Sequence, residues 1–360
     1  MLTSVHALAA ATALLASLGL TPVATKLALH FGAIDQPGPR KVHLAPVPLW
    51  GGLAIYCAAM VAFTAFTAPI ETAAGAQITG IVLAAGLLVA VGALDDRGLL
   101  HHQIKLMAAM PVASLILIAV GIHATTFEAL AGPSRLMLLA DLALTMFWLV
   151  GITAAFSILD HMDGLVAGIA SIGAAVYLFY AVGDGQVLVG VLAAAVLGAA
   201  LGFLRWNFAP ARIFMGDGGA MFLGFMMATL GLKLRTPHLP ALNAQLVPVL
   251  ILAVPIFDTT LVTISRSRRG LVPFSSPGKD HTSHRLSGLG LGHRRAVLVL
   301  YGVAGLGGAA AVLLSRVSSS SVLWLLVGAA VAGAVGVIAL ERSPFERQPT
   351  ASPSLSPSRG

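Results

Sequence analysis

The chain has 360 residues, of which 58% are hydrophobic and only 10% are charged, and its mean hydropathy is +0.92. This composition excludes a soluble globular enzyme and a disordered chain, and it is typical of a protein that crosses a membrane many times. The formal charge of +7 does not indicate a nucleic-acid partner, because the basic residues lie in alternate loops between long apolar runs.

Apolar runs long enough to cross a membrane recur along most of the chain. A hydrocarbon core of ~30 Å needs about 20 mainly apolar residues per helix. We therefore predict an all-α polytopic membrane protein with eleven transmembrane helices, at residues 4–29, 50–69, 77–94, 104–122, 136–157, 164–182, 185–203, 219–234, 245–265, 296–315 and 321–340. They form one membrane domain, residues 1–342, and the Ser- and Pro-rich segment 343–360 is predicted to be a disordered tail.

Lysine and arginine are distributed unevenly between the two ends of the predicted bundle. With the N-terminus outside, 17 of the 21 basic residues fall on the inner side, and the outer side keeps only Arg135, Lys233, Arg235 and Arg316. Because cytoplasmic loops are enriched in lysine and arginine, this bias places the inner loops and the tail in the cytoplasm.

Five aspartates stand where apolar runs end on that inner side: Asp95, Asp96, Asp160, Asp163 and Asp217. An acid at the end of a membrane segment costs desolvation energy, so a functional role is the default interpretation. Three loops would bring these carboxylates to one membrane face, where hard oxygen ligands suit Mg2+ and, through it, a diphosphate substrate. The rival is a secondary transporter, which predicts internal repeats and ionisable residues near the midplane. The sequence has no visible repeat.

Two motifs carry the acidic pairs. In GALDDRGLLHHQIK (92–105), Asp95 and Asp96 can face one site only if the helix ends there, because adjacent side chains point apart on a helix. Lys105 opens the next helix and can meet a phosphate as a point charge, or can reach the membrane surface as a snorkelling lysine. In FSILDHMDGLVAG (156–168), the i, i+3 spacing predicts that Asp160 and Asp163 share one helical face.

Three further segments lie on the same inner side. The turn GDGG, which holds Asp217, precedes a helix, and its glycines let a metal or a phosphate approach the backbone. The longest inner loop, 266–295, carries His281, His284 and Arg285, whose donors suit a nucleotide diphosphate, although a basic inner loop is common without any ligand. Asp258, inside the ninth predicted helix, is functional or paired by default. The Pro- and Gly-rich segment 32–56 by itself predicts only a turn.

These segments, in this order, resemble the polyprenyl-phosphate N-acetylhexosamine-1-phosphate transferase family (glycosyltransferase family 4). The similarity runs from about Gly32 to Arg295, and the ending SHRL of the histidine loop is similar to the N-acetylglucosamine-1-phosphate branch. The resemblance implies a bacterial inner-membrane enzyme with its active site facing the cytoplasm. Such an enzyme transfers a sugar 1-phosphate from a UDP-sugar to a polyprenyl phosphate and releases UMP, with Mg2+, or Mn2+ in its place, as cofactor.

The resemblance also implies roles for particular residues. Asp95 and Asp96 match the catalytic acidic pair and can also bind the metal, Asp160 and Asp163 match the second acidic pair, and Asp217 matches the metal-binding aspartate. Substrate contacts are expected from these residues: Lys41, His43, Lys105, Asn207, His281, His284 and Arg285.

The chain departs from the family pattern at three positions. Family members usually carry asparagines where this chain has Ala154 and Ser157, and a third loop histidine where it has Ser283. Because all the acids are kept, we predict an active, divergent enzyme, with a catalytically silent member as the alternative. The sugar, the lipid length, the pathway and the question of a homodimer are left open.

Overall fold

A computed structural model describes residues 2–37, 45–67, 74–100, 104–272, 278, 280–314 and 319–342. Lys41, His43 and the predicted tail 343–360 lie outside the described residues. The helices are α1 (Leu2–Phe31), α2 (Gly51–Thr67), α3 (Gly75–Asp95), α4 (Met110–Ala119), α5 (Thr126–Ala131), α6 (Arg135–Leu159), α7 (Leu165–Gly183), α8 (Val187–Asn207), α9 (Gly216–Lys233), α10 (Ala241–Ile251), α11 (Ala253–Arg268), α12 (Thr282–Leu286), α13 (Gly292–Leu314) and α14 (Ser319–Glu341). π-Helical turns at Lys105–Ala109 and Ser287–Leu291 lead into α4 and α13, and β1 (Ile34–Asp35) pairs antiparallel with β2 (Val47–Pro48).

The helices confirm the class of an all-α membrane protein, but they do not confirm eleven crossings. Among the described residues, six helices are long and apolar enough to span a bilayer, and the bent pair α10–α11 adds a seventh if it is counted as one span. Three other apolar helices are shorter, at Gly51–Thr67, Lys105–Ala119 and Val327–Glu341.

Two of the predicted spans differ from the structure for reasons that the backbone shows. The run 104–122 yields a helix of 15 residues, Lys105–Ala119, because the chain turns at Gly121, where φ is +78°. At 1.5 Å per residue that helix is about 22 Å long. The run 245–265 is broken between Ile251 and Ala253 with a bend of 75°. Pro255 has no N–H to donate to the carbonyl of Ile251 four residues earlier, so the helix cannot continue through this point unchanged.

Small residues let the central helices approach one another closely. α8 is the most buried of the six long helices, and its Gly198 and Gly202 face α1, where an added Cβ would lie 2.1 Å from the Ala10 carbonyl oxygen and 2.6 Å from that of Leu14. Without a hydrophobic driving force between helices in lipid, such close packing supplies much of the association energy.

Glycines also place the first turn of α9 beside α2 and α3. A Cβ on Gly52 would lie 2.2 Å from the Gly219 backbone nitrogen, and one on Gly92 would lie 2.2 Å from the Gly218 nitrogen. The backbones therefore touch where no side chain fits. As a result, Asp217, the second residue of α9, is held against the end of α3.

Candidate active site

The ends of three helical segments bring four predicted site residues together, three aspartates and one lysine. The Lys105 ammonium lies 2.8 Å from Asp95 Oδ2 and 2.5 Å from Asp217 Oδ2. The Asp217 backbone N–H donates to Asp96 Oδ1 at 3.0 Å. α3 ends at Asp95, so that the adjacent Asp95 and Asp96 both reach this cluster, as the sequence argument requires. Lys105 has the role of a counter-ion between two carboxylates.

Asp96 is the most unusual carboxylate of this group. Its Oδ2 is buried and has no hydrogen-bond partner within the described residues. Burial raises the pKa of Asp96 to about 7, with the charges of Asp217 and Asp95 acting in the same direction and the Asp217 N–H and the Lys105 charge opposing them. Gly216, at φ +70°, faces this oxygen, and a Cβ there would lie 2.2 Å from it. At neutral pH this side chain is therefore poised between its acid and its base form.

The second acidic pair lies in a turn and not on a helical face, so that part of the prediction is wrong. α6 ends at Leu159, and the turn that follows closes at Gly164, where φ is +77°. The charges of the two carboxylates still act on each other in this turn. Asp163 Oδ2 accepts from the Ala211 N–H at 2.9 Å. Burial, followed by the charges of nearby carboxylates including Asp217, raises the pKa of Asp160 well above its usual value. Asp160 is thus the member that faces the carboxylate cluster.

Asn207 holds the turn and the following loop together. Its Oδ1 accepts from the Gly164 N–H at 3.0 Å, and its Nδ2 donates to the Ile213 carbonyl at 3.0 Å. The buried amide is therefore engaged at both ends by backbone groups. The structure gives Asn207 a positioning role, and its predicted contact with a nucleotide stays a prediction.

Three imidazoles form a second cluster next to the acidic turn. His281 and His284 come from the predicted loop, and the third, His161, comes from the turn between Asp160 and Asp163. The ring centroid of His161 lies 4.1 Å from that of His281 and 4.8 Å from that of His284. Sequence reasoning missed His161. The one signal available was a histidine set between two aspartates at the end of an apolar run.

The hydrogen bonds of His161 determine its tautomer. Burial lowers the pKa of His161 well below its usual value, with the neighbouring His281 adding to the effect, so the ring is neutral. Nδ1 lies 3.1 Å from the Ile158 carbonyl oxygen, which can only accept, so Nδ1 carries the proton. Nε2 is then the acceptor for the Ser283 hydroxyl at 2.5 Å. His161 thus joins the acidic turn, residues 160–164, to the histidine segment, residues 280–286.

The histidine segment is held to the bundle by buried ion pairs. His281 Nδ1 lies 2.9 Å from Asp258 Oδ2, and the other oxygen of Asp258 accepts from the Thr282 N–H at 2.7 Å. The predicted alternative that Asp258 is paired therefore describes the structure. Asp280 is bound in a bidentate fashion by Arg266, at 3.0 and 2.8 Å. Although burial alone would raise the pKa of Asp280, the hydrogen bonds and charge of Arg266, with a further hydrogen bond from a neighbouring arginine, lower it to about 2.

Arg285 does not contact a substrate in this arrangement, so its predicted role as a phosphate ligand is wrong. Its side chain is fully buried, and the guanidinium donates to the Asp280 carbonyl at 2.8 Å, to Ser265 Oγ at 2.8 Å and to the Leu340 carbonyl at 2.6 Å, and it pairs with Glu341 at 2.9 Å. A buried guanidinium that already donates to these protein groups is not accessible to an incoming phosphate. Arg285 instead ties the histidine segment to α11 and α14.

The carboxylate cluster has the donor chemistry of a magnesium site, although its side chains do not yet converge on one point. Asp95, Asp96 and Asp217 supply hard oxygens, and the unpartnered Oδ2 of Asp96 is a free ligand position. No three acidic, histidine or cysteine side chains of the described residues surround a single metal-sized position. Lys105 occupies the space between Asp95 and Asp217. The carboxylates supply donors of the type that Mg2+ prefers, and the predicted magnesium site stays a prediction.

Comparisons with known proteins identify the family of the chain. Residues 78–235 match the family model described as Glycosyl transferase family 4. The chain is 37% identical over 313 residues, which cover 87% of it and 84% of the relative, to the "Probable undecaprenyl-phosphate N-acetylglucosaminyl 1-phosphate transferase" of Bacillus subtilis (strain 168). The chain belongs to glycosyl transferase family 4.

Two further relatives of this family 4 chain carry names from the same branch. It is 35% identical over 300 residues, 76% of it and 73% of the relative, to the decaprenyl-phosphate N-acetylglucosaminephosphotransferase of Mycolicibacterium smegmatis. It is 28% identical over 291 residues, 77% and 76%, to the undecaprenyl-phosphate alpha-N-acetylglucosaminyl 1-phosphate transferase of Yersinia pestis. The predicted family and its N-acetylglucosamine-1-phosphate branch are confirmed.

The three departures of this family 4 chain all lie near the described site. Ser157 Oγ donates to Asp217 Oδ1 at 3.3 Å, so its side chain borders the carboxylate cluster. Ala154, one turn earlier on α6, is buried. Ser283 is fully buried against His161. Two of the three replacements therefore touch site groups directly.

Proposed function

We propose that this chain transfers N-acetylglucosamine 1-phosphate, or a related N-acetylhexosamine 1-phosphate, from a UDP-sugar to undecaprenyl or another polyprenyl phosphate and releases UMP. This is the first membrane step in the synthesis of a cell-envelope polysaccharide. The names of the relatives support this activity. The structural observation that carries it is the group of carboxylates around Lys105, at the ends of membrane helices. A site in that place can receive a soluble nucleotide sugar while the lipid tail stays in the bilayer.

The reaction is a displacement at the β-phosphorus of the UDP-sugar. An oxygen of the lipid phosphate attacks that phosphorus, the bond to the oxygen that bridges the α- and β-phosphates breaks, and UMP leaves with the electron pair. Asp217 and one of Asp95 and Asp96 would hold Mg2+, which would supply positive charge to the reacting diphosphate. The product contains a new diphosphate between the lipid and the sugar.

The protein side chains place and neutralise the reacting phosphates. With Asp95 as the partner of Asp217 in holding the cation, Asp96 is left to exchange a proton with the lipid phosphate, because burial raises its pKa to about 7, near the second pKa of a phosphate monoester, about 6. The Lys105 ammonium lies at the cluster on a flexible stem, from which it would bind a phosphate oxygen as a point charge. His284 would donate to the nucleotide phosphates. His161 and His281 would position it, because the ring nitrogens of both already have protein partners.

The bent pair α10–α11 is a feature that secondary transporters also have. The carboxylate within this pair, Asp258, is bound by His281 and by the Thr282 N–H, as expected for a residue with a structural role. Together with the names of the relatives, this favours the transferase over a transporter.

The proposal is tested with the purified full chain, UDP-sugars and undecaprenyl phosphate, with Mg2+, with Mn2+ and with excess EDTA. We expect UMP, and not UDP, to appear in equal amount with a lipid diphosphate sugar, and we expect UDP-N-acetylglucosamine to be preferred over UDP-glucose. Release of UDP would indicate a different glycosyl transfer. A folded protein that releases no UMP from any of these donors would support the silent alternative.

We also propose that the site faces the cytoplasm of the bacterial inner membrane. Two single-cysteine variants test this orientation, in a chain whose one native cysteine, Cys57, is replaced by serine. One cysteine replaces Arg97, beside the carboxylate cluster. The other replaces Pro133, just before α6, whose far end leads into the acidic turn. In intact cells an impermeant maleimide should label the cysteine at 133 and leave that at 97 unlabelled. The reverse pattern would place the site outside, away from a cytosolic UDP-sugar.

A further inference from the structure

A second polar cavity lies at the end of the bundle opposite the carboxylate cluster. It has a volume of about 310 Å³ and lies between the end of α9, the first turn of α8 and the chain that follows α4. Asp217 stands at the start of α9 and Lys233 at its end. Sixteen residues of helix separate these two by roughly 24 Å, which is close to the thickness of a bilayer core of about 30 Å. The cavity therefore lies near the opposite membrane surface, and the proposed reaction makes no use of it.

The cavity is lined by positive charge. Lys233 and Arg235 both line it, and none of its described lining residues is acidic. Asp184, in the neighbouring turn, is paired with His238 at 2.8 Å and is not part of the wall. These two cations are half of the four basic residues that the sequence assigns to the outer side, where lysine and arginine are depleted.

Glutamine and threonine side chains contact the two basic residues. Gln186 fixes the backbone of Arg235, because its Oε1 accepts from the Arg235 N–H at 2.9 Å and its Nε2 donates to the Arg235 carbonyl. The guanidinium donates to Thr125 Oγ1 at 3.2 Å, and Arg235 has no carboxylate partner in the part of the chain that the structure describes. The Lys233 ammonium donates to Gln77 Oε1 at 2.5 Å. A charge at the last turn of α9 suits the helix dipole, but the dipole does not explain a cavity built beside it.

We propose that this cavity binds a phosphate group, either in the headgroup of an anionic phospholipid or as free phosphate. A guanidinium presents a planar fork to two phosphate oxygens, and an ammonium adds a point charge. The volume is at the lower end of the range for small-molecule sites, about 300 to 1,000 Å³, so a headgroup fits and a whole lipid does not. Ile122 and Leu188 supply part of an apolar wall beside the two cations. The proposal does not depend on the transferase activity.

The test uses the full chain in detergent and native mass spectrometry with phosphatidylglycerol, with zwitterionic phosphatidylcholine as the lipid control. The variant Lys233→Gln/Arg235→Gln removes the two cations, and Arg135→Gln is the matched control because Arg135 is an exposed cation at the same end of the bundle outside the cavity. We expect the double variant to bind phosphatidylglycerol at least tenfold more weakly, with Arg135→Gln unchanged. UMP release should be the same in all three proteins, which shows that the double variant is folded.

The second arm adds inorganic phosphate. Displacement of phosphatidylglycerol by millimolar phosphate, together with direct phosphate binding to the wild type, identifies the phosphate group alone as the ligand. If added phosphate does not displace the bound phosphatidylglycerol, the ligand is the headgroup of the phospholipid. Equal binding by the wild type and the double variant, an equal loss in Arg135→Gln, or no binding of either probe to the wild type would overturn the proposal.

Discussion

The hydrogen bond between His161 and Ser283 should be required for transfer, because it joins the acidic turn to the segment that carries His281 and His284. His161→Ala removes the acceptor of a fully buried serine hydroxyl. Leaving such a donor unsatisfied costs about 1–3 kcal/mol. If that cost weakens the docked position of the segment, a loss of 1.4 kcal/mol corresponds to about a tenfold fall in the docked population. We therefore expect kcat for UMP release to fall by about tenfold, within a range of roughly fivefold to 150-fold.

The exchange of the two side chains separates a positioning role from a general loss of stability. In His161→Ser/Ser283→His, a hydroxyl and an imidazole still face each other across the same 2.5 Å contact, but each comes from the other segment. Both single variants should lose activity, and the double variant should recover to within about threefold of the wild type. The assay is steady-state UMP release with UDP-N-acetylglucosamine and undecaprenyl phosphate, with kcat and KM measured separately, beside thermal unfolding in detergent.

Two results would contradict this argument. One is an unchanged kcat in His161→Ala, which would mean that the histidine segment does not need this contact. The other is an exchange variant no more active than the product of the two single losses predicts, since this would show that the two side chains do not act on each other. A lower melting temperature with kcat unchanged would make His161 purely structural.

Three other predictions follow from the site. Asp217→Asn keeps the shape but loses the charge that offsets Mg2+, and it should lower UMP release by roughly 100-fold at an unchanged melting temperature; near-normal activity at low Mg2+ would remove Asp217 from the metal site. Ser157→Asn places a longer carboxamide beside Asp217 and should change the ratio of kcat/KM between UDP-N-acetylglucosamine and UDP-N-acetylgalactosamine or the Mg2+ concentration needed; if both stay the same, Ser157 does not border the substrate. Asp280→Asn leaves Arg266 buried without its carboxylate and should cost about 3–5 kcal/mol of unfolding free energy near neutral pH. Because the folded-state pKa of Asp280 is about 2 and the unfolded value is about 3.9, the difference from the wild type should be constant above roughly pH 5 and shrink as pH falls from 4 towards 2 in a melting series; a gap that does not depend on pH would contradict the ion pair.

Hydropathy and motif order were enough to predict the membrane class, the family and the meeting of Asp95, Asp96 and Asp217. Hydropathy measures how long an apolar run is, but it does not say where the backbone turns within the run. The break before Ala253 depends on the missing N–H of Pro255, and the short helix Lys105–Ala119 depends on the turn at Gly121.

The acidic turn shows a different limit of sequence reasoning. The spacing of Asp160 and Asp163 predicts a shared face only if the helix continues past Leu159, and the structure ends the helix there. Gly164, at φ +77°, closes the turn, and Asp163 there accepts from the Ala211 N–H. A spacing rule carries information only inside the element that defines it, and catalytic residues in membrane proteins often stand just beyond the ends of their helices.

The remaining site residues depend on contacts between distant parts of the chain. Ser283 lies 122 positions after His161, and Leu340 lies 55 positions after Arg285. A basic residue in a cytoplasmic loop is expected from topology alone, so nothing in the sequence distinguished the buried Arg285 from a phosphate ligand. What separates the two roles is burial, which is a property of the packed bundle.

Backbone contact at two glycine pairs is what makes the site geometry precise enough for chemistry. Asp217 belongs to a helix whose first turn touches α3 at Gly92 and α2 at Gly52, where an added Cβ would lie 2.2 Å from a backbone nitrogen. A backbone cannot move aside as a flexible side chain can, so the fold fixes the Asp217 backbone N–H beside the end of α3, where it donates to the Asp96 carboxylate. Lys105 then balances the charge that this enforced proximity creates. The acids are thus held close together by the backbone of the fold, with Lys105 as their counter-charge.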